Sequence, residues 1–243
     1  MLTTAILLLL SGGLPYYLLL EKKETFDSKK IFFFSSALLL VAIFLTLFVT
    51  NEHAKTFVFI SLISAIFSIY RASKTTNLYK FGYHLIFINA PFFMLFEETG
   101  ALYSFSLLLS LIGVYFLASF YEKHYGSANY YYITGTILST PFVGTFLSVF
   151  LVAIALYPPF PNSIFFLSHL FNSEPSALWY AVVIILFFGN FYLAMNVMRK
   201  TVFGKPNENI HYVDLTPRER AKFFILLVVL LLFSVYGFKE LLL

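Results

Sequence analysis

The sequence predicts an all-α polytopic membrane protein with about eight transmembrane helices, and three observations lead there. First, 60% of the 243 residues are hydrophobic and 12% are charged, whereas a soluble domain carries roughly 25% charged residues to meet water. Second, charged clusters divide the chain into apolar stretches of about 20 residues, the length that crosses roughly 30 Å of hydrocarbon. Third, runs such as Ile225 to Phe233 are apolar without a break, which lacks the alternation a β-barrel strand needs.

The first predicted span runs from Leu2 to Leu20. No cation precedes it, Lys22 and Lys23 follow it, and no small-x-small cleavage pattern closes it, so it reads as a retained helix rather than a cleaved signal. Ser11-Gly12-Gly13 within it, like Ser234 to Gly237 near the other end, lets helices approach closely and offers a surface to partner subunits. Further spans are expected at Ile31 to Thr50, Thr56 to Tyr70, Phe81 to Phe96 and Ala101 to Phe120.

The sixth span, Thr136 to Phe171, is too long for one crossing and contains Tyr157-Pro158-Pro159-Phe160-Pro161-Asn162. Each proline removes a backbone donor and crowds the carbonyl four residues earlier, so no continuous helix passes through it. Two readings are open. The segment is either two half-helices of the kind found in ion-coupled transporters, or two short or tilted spans joined by a loop at Pro158 to Asn162. The seventh span is Ala177 to Met198 and the eighth Phe223 to Phe238. Between them lies the one sizeable aqueous segment, Lys200 to Lys222, which closes on Thr216-Pro217-Arg218-Glu219. There Thr216 caps the last helix, Pro217 takes its first position and Glu219 completes a capping box.

Eight spans place fourteen of the sixteen Lys and Arg residues on one face and leave only Lys55 and Lys239 on the other. The basic face is the cytoplasmic one. The expected location is a prokaryotic cytoplasmic membrane, with both termini outside and loops 21–30, 71–80, 121–132 and 199–222 in the cytoplasm. No repeat of fixed period and no linker divides the chain, so residues 1–243 form a single membrane domain.

Several function classes drop out. With no cysteine there is no disulfide framework, thiolate zinc site or thiol nucleophile. A chain this apolar has no face for a nucleic-acid-binding basic patch despite its net charge of +4. No His pair with a carboxylate, Gly-rich phosphate loop or Ser-His-Asp grouping is visible, so no catalytic residue, metal site or cofactor is assigned. The 32 phenylalanines and 17 tyrosines read as packing and lipid-facing material, with Tyr130-Tyr131-Tyr132 and Trp179 suited to an interfacial belt.

An ionisable group inside a membrane is a functional candidate by default. His84 lies about one turn into the fourth span, and His169 follows the proline break by two turns, near the outer water marked by Asn172, Ser173 and Glu174. Either could relay a proton, or simply make a hydrogen bond near a helix end. Glu97 and Glu98 could attract cations at an outer mouth, or form a solvated turn. Asn89 with Pro91, and Asn190 with Gly189, are the remaining buried polar candidates, suited to helix-to-helix hydrogen bonding.

Four local motifs, in order, resemble a known family. Asn77-Leu78-Tyr79-Lys80-Phe81 sits where that family has Asp-Ile-Lys-Arg-Leu at the start of a span. Phe120-Tyr121-Glu122-Lys123 resembles its Leu-Tyr-Glu-Arg, and Leu156-Tyr157-Pro158-Pro159-Phe160-Pro161 resembles its Gly-Leu-Pro-Pro helix break. Arg199-Lys200-Thr201-Val202-Phe203-Gly204-Lys205 and Asp214-Leu215-Thr216-Pro217-Arg218-Glu219 resemble the Arg-Arg-Val-Phe-Phe-Gly and Leu-Ser-Pro-Arg-Glu pair around its penultimate loop. The family is that of the antiporter-like membrane subunits of respiratory complex I, Mrp sodium/proton antiporters and membrane-bound hydrogenases. Residues 56–243 resemble its C-terminal half, while the two helices of residues 1–55 are of open kinship.

The resemblance implies a reduced subunit of a multisubunit ion-translocating redox or antiporter complex. It also implies losses. The family's buried His or Lys aligns with Ser106, its Glu or Lys after the break with Phe166, and the second glycine of its break with Asn162. The expectation is therefore a non-catalytic accessory subunit that docks beside ion-pumping subunits in the bilayer. The alternative is an independent ion or proton transporter that uses the broken helix with His84 or His169.

Overall fold

The computed structural model describes residues 1–23, 25–48, 55–96 and 98–242. Among these the secondary structure is helical, with one isolated bridge between Asn77 and Asn129 and no strand. In chain order the helices are α1 (Leu2–Leu10), α2 (Tyr17–Glu21), α3 (Ser28–Thr46), α4 (Lys55–Lys74), α5 (Leu78–Leu95) and α6 (Glu98–Tyr125). They continue with α7 (Thr136–Ser139), α8 (Pro141–Ile154), α9 (Pro161–Asn172), α10 (Ala177–Thr201) and α11 (Pro217–Leu242).

Among the described residues five helices are long and apolar enough to cross a membrane: α3, α4, α6 from Gly100, α10, and α11 as far as Lys239. Their outward faces carry large apolar side chains, among them Phe33, Phe44, Phe59, Ile63, Ile225 and Leu232. Water would not tolerate so continuous an apolar exterior, and lipid does. The chain is an all-α integral membrane protein.

The bundle is built around α5. Sixteen of its eighteen residues are buried, Lys80 and Leu95 being the exceptions, and it packs against α3, α4, α6 and α10. A helix apolar on every side belongs in the interior. Its start is fixed by Asn77, whose side chain accepts from the backbone N–H groups of Tyr79 (2.9 Å) and Lys80 (3.2 Å). Asp27 caps α3 and Ser176 caps α10 in the same way.

One expectation needs correction. The continuous first span over Leu2 to Leu20 is instead α1 and α2, separated by a turn in which Gly12 adopts φ +85°. Pro15 has no N–H to continue a helix, and Gly12 approaches α5 so closely that a Cβ would meet the Phe87 ring at 3.2 Å. Ser11-Gly12-Gly13 thus serves a contact within the chain. Tyr130 and Trp179 are 0% and 7% exposed and so pack against protein, whereas Tyr131 and Tyr132 are exposed. The Tyr130 hydroxyl donates to the Thr75 carbonyl (2.8 Å), and the Trp179 indole N–H donates to Ser173 Oγ (2.6 Å).

The second expected span reached Thr50, which lies outside the described residues, as α3 ends at Thr46. The sixth resolves into α7, α8 and α9. Between α8 and α9, Leu156 takes φ +63° and the Pro158–Pro159 bond is cis, after which Pro161 opens α9.

Candidate functional site

Polar groups in this bundle collect in two places, an interior seam and one end. The seam begins on α5. Asn89 Nδ2 donates to the Leu85 carbonyl one turn back (2.7 Å) and across to Asn190 Oδ1 on α10 (3.1 Å), while Asn190 Nδ2 donates to Asn89 Oδ1 (2.8 Å). Tyr103 on α6 adds its hydroxyl to the same Asn89 Oδ1 (2.6 Å). All three side chains are essentially inaccessible. In hydrocarbon an unpaired amide is costly, so such a cluster ties three helices to one register.

From Tyr103 the seam continues along α6. Ser106 Oγ donates to the Tyr103 carbonyl (2.7 Å), and Ser110 Oγ lies 3.3 Å from both the Ser106 carbonyl and Asn162 Oδ1. Ser106 and Asn162 are therefore linked through Ser110. Asn162 Nδ2 is buried without a hydrogen-bond partner among the described residues. Phe166, one turn further on α9, is 4% exposed and stacks on Phe92 (5.6 Å between centroids) and Phe187 (6.2 Å). It fills space rather than carrying charge.

The two histidines are not brought together. His84 is 2% exposed and held by the rings of Tyr17 and Tyr83, both with centroids 4.7 Å away. His169 is 6% exposed and lies flat on Phe96, with centroids 4.5 Å apart and planes at 7°. Its carbonyl accepts a hydrogen bond from Ser173 Oγ, which closes the end of α9. Glu97 lies outside the described residues, and Glu98 is described only as the opening residue of α6. Pro158 and Pro159 face outward in the turn that Pro161 and the buried Asn162 close.

The second polar collection joins the loops. Glu21 accepts from Arg71 (2.5 Å) and from the Tyr83 hydroxyl (2.5 Å), with Lys80 at 3.7 Å. Glu122 accepts from Lys29 (2.6 Å) and the Tyr79 hydroxyl (2.9 Å). Lys123 reaches Glu219 (3.2 Å), and Tyr125 bonds the backbone of Val213. Thr134 and Asn207 tie residues 132–134 to the loop before α11. The described residues of segments 21–30, 71–80, 121–132 and 199–222 thus meet at one end of the bundle.

Asp214, named in the sequence only as the first residue of a motif, has a structural role. Its carboxylate accepts from the backbone N–H groups of Phe142 (3.3 Å) and Val143 (3.1 Å), capping α8 from 71 residues away. Next to it, Arg220 lies 3.4 Å over the Phe142 ring and donates to the Leu215 carbonyl (2.8 Å). Helix α8 therefore starts against the loop that precedes α11. The expected capping box is present, with Glu219 Oε2 accepting from the Thr216 N–H (3.0 Å) and hydroxyl (2.8 Å).

Among the described residues, no cluster of three or more His, Asp or Glu side chains is arranged to hold a metal ion. Among the described residues, none of the buried side chains is Lys, Arg, Asp or Glu. The seam can orient helices and accept or donate hydrogen bonds, but it presents no fixed charge. No protein-family model and no curated protein matches this chain.

Proposed function

We propose that this chain is a reduced antiporter-like subunit of a multisubunit membrane complex of the complex I, Mrp or membrane-bound hydrogenase type, in which it docks and seals rather than pumps. The observation that carries the non-pumping role is the buried inventory, in which no Lys, Arg, Asp or Glu occurs among the described residues. Moving ions through hydrocarbon needs such groups or a wet cavity to offset the loss of hydration. The resemblance itself rests on the four ordered motifs, residues 56–243 being the antiporter-like part.

On this reading the chain crosses the bilayer eight times. The crossings are α1 with α2, then α3, α4, α5, α6, the pair α8 and α9 as one broken helix, α10 and α11. Helix lengths support the pairing: at about 1.5 Å per residue, the 14 residues of α8 and the 12 of α9 each fall short of roughly 30 Å, and together they suffice. The end where residues 21–30, 71–80, 121–132 and 199–222 meet is the cytoplasmic side by its charge, which leaves both termini outside a prokaryotic cytoplasmic membrane.

The deciding experiment is purification of the tagged chain from its native membrane in mild detergent, with identification of everything retained at stoichiometric levels. Redox or antiporter subunits in the eluate are the expected result. A chain that elutes alone defeats the accessory-subunit reading. The seam from Asn190 to Asn162 favours the second reading, an independent transporter, and sodium or proton flux in liposomes containing only this chain would establish it.

A further inference from the structure

We propose that the cavity between the end of α4 and the start of α5 is a binding site for a phosphate group, carried by an anionic phospholipid headgroup or by free phosphate. The cavity measures about 340 Å³ and is lined by Glu21, Tyr70, Arg71, Lys74, Lys80 and His84. Three cations therefore face one carboxylate. Both oxygens of that carboxylate are already engaged, Oε2 by Arg71 and Oε1 by the Tyr83 hydroxyl with Lys80 nearby. Lys74 has no carboxylate partner among the described residues, its ammonium lying 5.8 Å from the centroid of the Tyr70 ring. The lining keeps an unbalanced positive charge in a concave space, which suits an anion with several acceptor oxygens.

His84 forms one wall of the same cavity. It is 2% exposed, and its Nδ1 has no hydrogen-bond partner among the described residues. Tyr17 meets the ring edge-on at 87° and Tyr83 covers it at 55°, both at 4.7 Å. The packing orients the imidazole without using that nitrogen. That nitrogen is itself closed off from the cavity, so His84 supplies part of the wall and not a donor. The N-terminus of α5 is not the attractor, because Asn77 already accepts from the N–H groups of Tyr79 and Lys80. The site is a side-chain site.

A lipid source is favoured by what adjoins the rim. Ile63, Ile66, Phe67 and Tyr70 are all exposed, and their spacing places them on one face of α4. They make an apolar stripe that ends at the cavity, where an acyl chain can lie while its headgroup meets Lys74 and Arg71. Basic pockets between helices at a membrane surface take anionic headgroups by this arrangement. The inference stands apart from the accessory-subunit reading, since it concerns the isolated chain.

The test uses the full chain, stripped of lipid in detergent and mixed with equal amounts of phosphatidylglycerol and phosphatidylcholine of matched acyl chains. Native mass spectrometry then counts bound lipid, and calorimetric titration with inorganic phosphate is run in parallel. Lys74→Ala, an exposed position, and His84→Phe are the variants. One phosphatidylglycerol retained per chain in preference to phosphatidylcholine, falling at least five-fold in Lys74→Ala, identifies a lipid site. Saturable phosphate binding that weakens likewise, without a lipid preference, identifies free phosphate as the ligand. If neither probe binds, or if both bind wild type and Lys74→Ala equally, the proposal is overturned. Should His84→Phe fail to fold, the Lys74→Ala comparison decides alone.

Discussion

Asn89 on α5 and Asn190 on α10 exchange two side-chain hydrogen bonds, of 3.1 and 2.8 Å, across 101 residues of sequence. The Tyr103 hydroxyl on α6 completes the cluster at 2.6 Å. Because each amide is the main interhelical partner of the other, Asn89→Ala and Asn190→Ala should each destabilise the fold, and the double variant should cost less than their sum. The expected coupling is about 0.6–2 kcal/mol, the range for interhelical polar pairs in bilayers. Reversible unfolding in mixed micelles as the denaturing detergent fraction rises measures it. Strict additivity would mean that the two amides do not stabilise each other.

Two buried tyrosines, Tyr83 and Tyr79, each donate to a carboxylate at the basic end, but the carboxylates differ in exposure. The Glu21 side chain is 15% exposed and that of Glu122 is 42% exposed. Water can replace a lost donor at Glu122 and not readily at Glu21. Tyr83→Phe should therefore cost about 1.5–3 kcal/mol, as expected for a hydrogen bond to a charged group. Tyr79→Phe should cost less than about 1 kcal/mol. Thermal midpoints of the two variants in one detergent give the ranking, and a larger loss for Tyr79→Phe would refute it.

Much of this architecture is legible in the sequence because apolar length and caps are local properties. The expected Ala177 to Met198 and observed α10 (Ala177–Thr201) share a start that Ser176 caps, and the Thr216–Glu219 box is readable from four residues. The turn inside the first segment is not caught by counting apolar residues, because it depends on the left-handed backbone of Gly12 and its fit against Phe87. The seam is half legible. An amide in an apolar helix announces that it needs a partner, but nothing local says that Asn89 finds Asn190 and Tyr103, or that Ser110 bridges Ser106 and Asn162. The enclosure of His169 is not legible either, because its sequence neighbours Asn172 and Ser173 are polar while the rings that enclose it, Phe92 and Phe96, are remote in the chain.

Asp214 caps α8 across 71 residues, so its replacement tests whether a loop holds a helix in place. Asp214→Ala frees the N–H groups of Phe142 and Val143 in a half-buried setting and should destabilise by about 0.5–2 kcal/mol, the usual range for a lost cap. Hydrogen exchange should locate the effect, with faster exchange in the first turn of α8 and little change in α5. Uniform acceleration throughout the bundle would show that Asp214 acts on global stability instead.

Gly126 and Gly135 separate backbone strain from crowding. Both adopt left-handed backbone, with φ of +74° and +63°, where a side chain costs roughly 1–2 kcal/mol. A Cβ at Gly126 meets nothing within 4 Å, whereas at Gly135 it would lie 2.6 Å from Pro206 N and 2.8 Å from the Gly204 carbonyl oxygen. Those neighbours are main-chain atoms that cannot rotate away, and they belong to the loop that Thr134 and Tyr212 tie to this turn. Gly126→Ala should lower the thermal midpoint modestly. Gly135→Ala should lower it at least twice as far and also expose the 202–210 loop to protease. Equal midpoints and equal cleavage would show that the loop is free to move away from Gly135, and that the close approach does not hold it there.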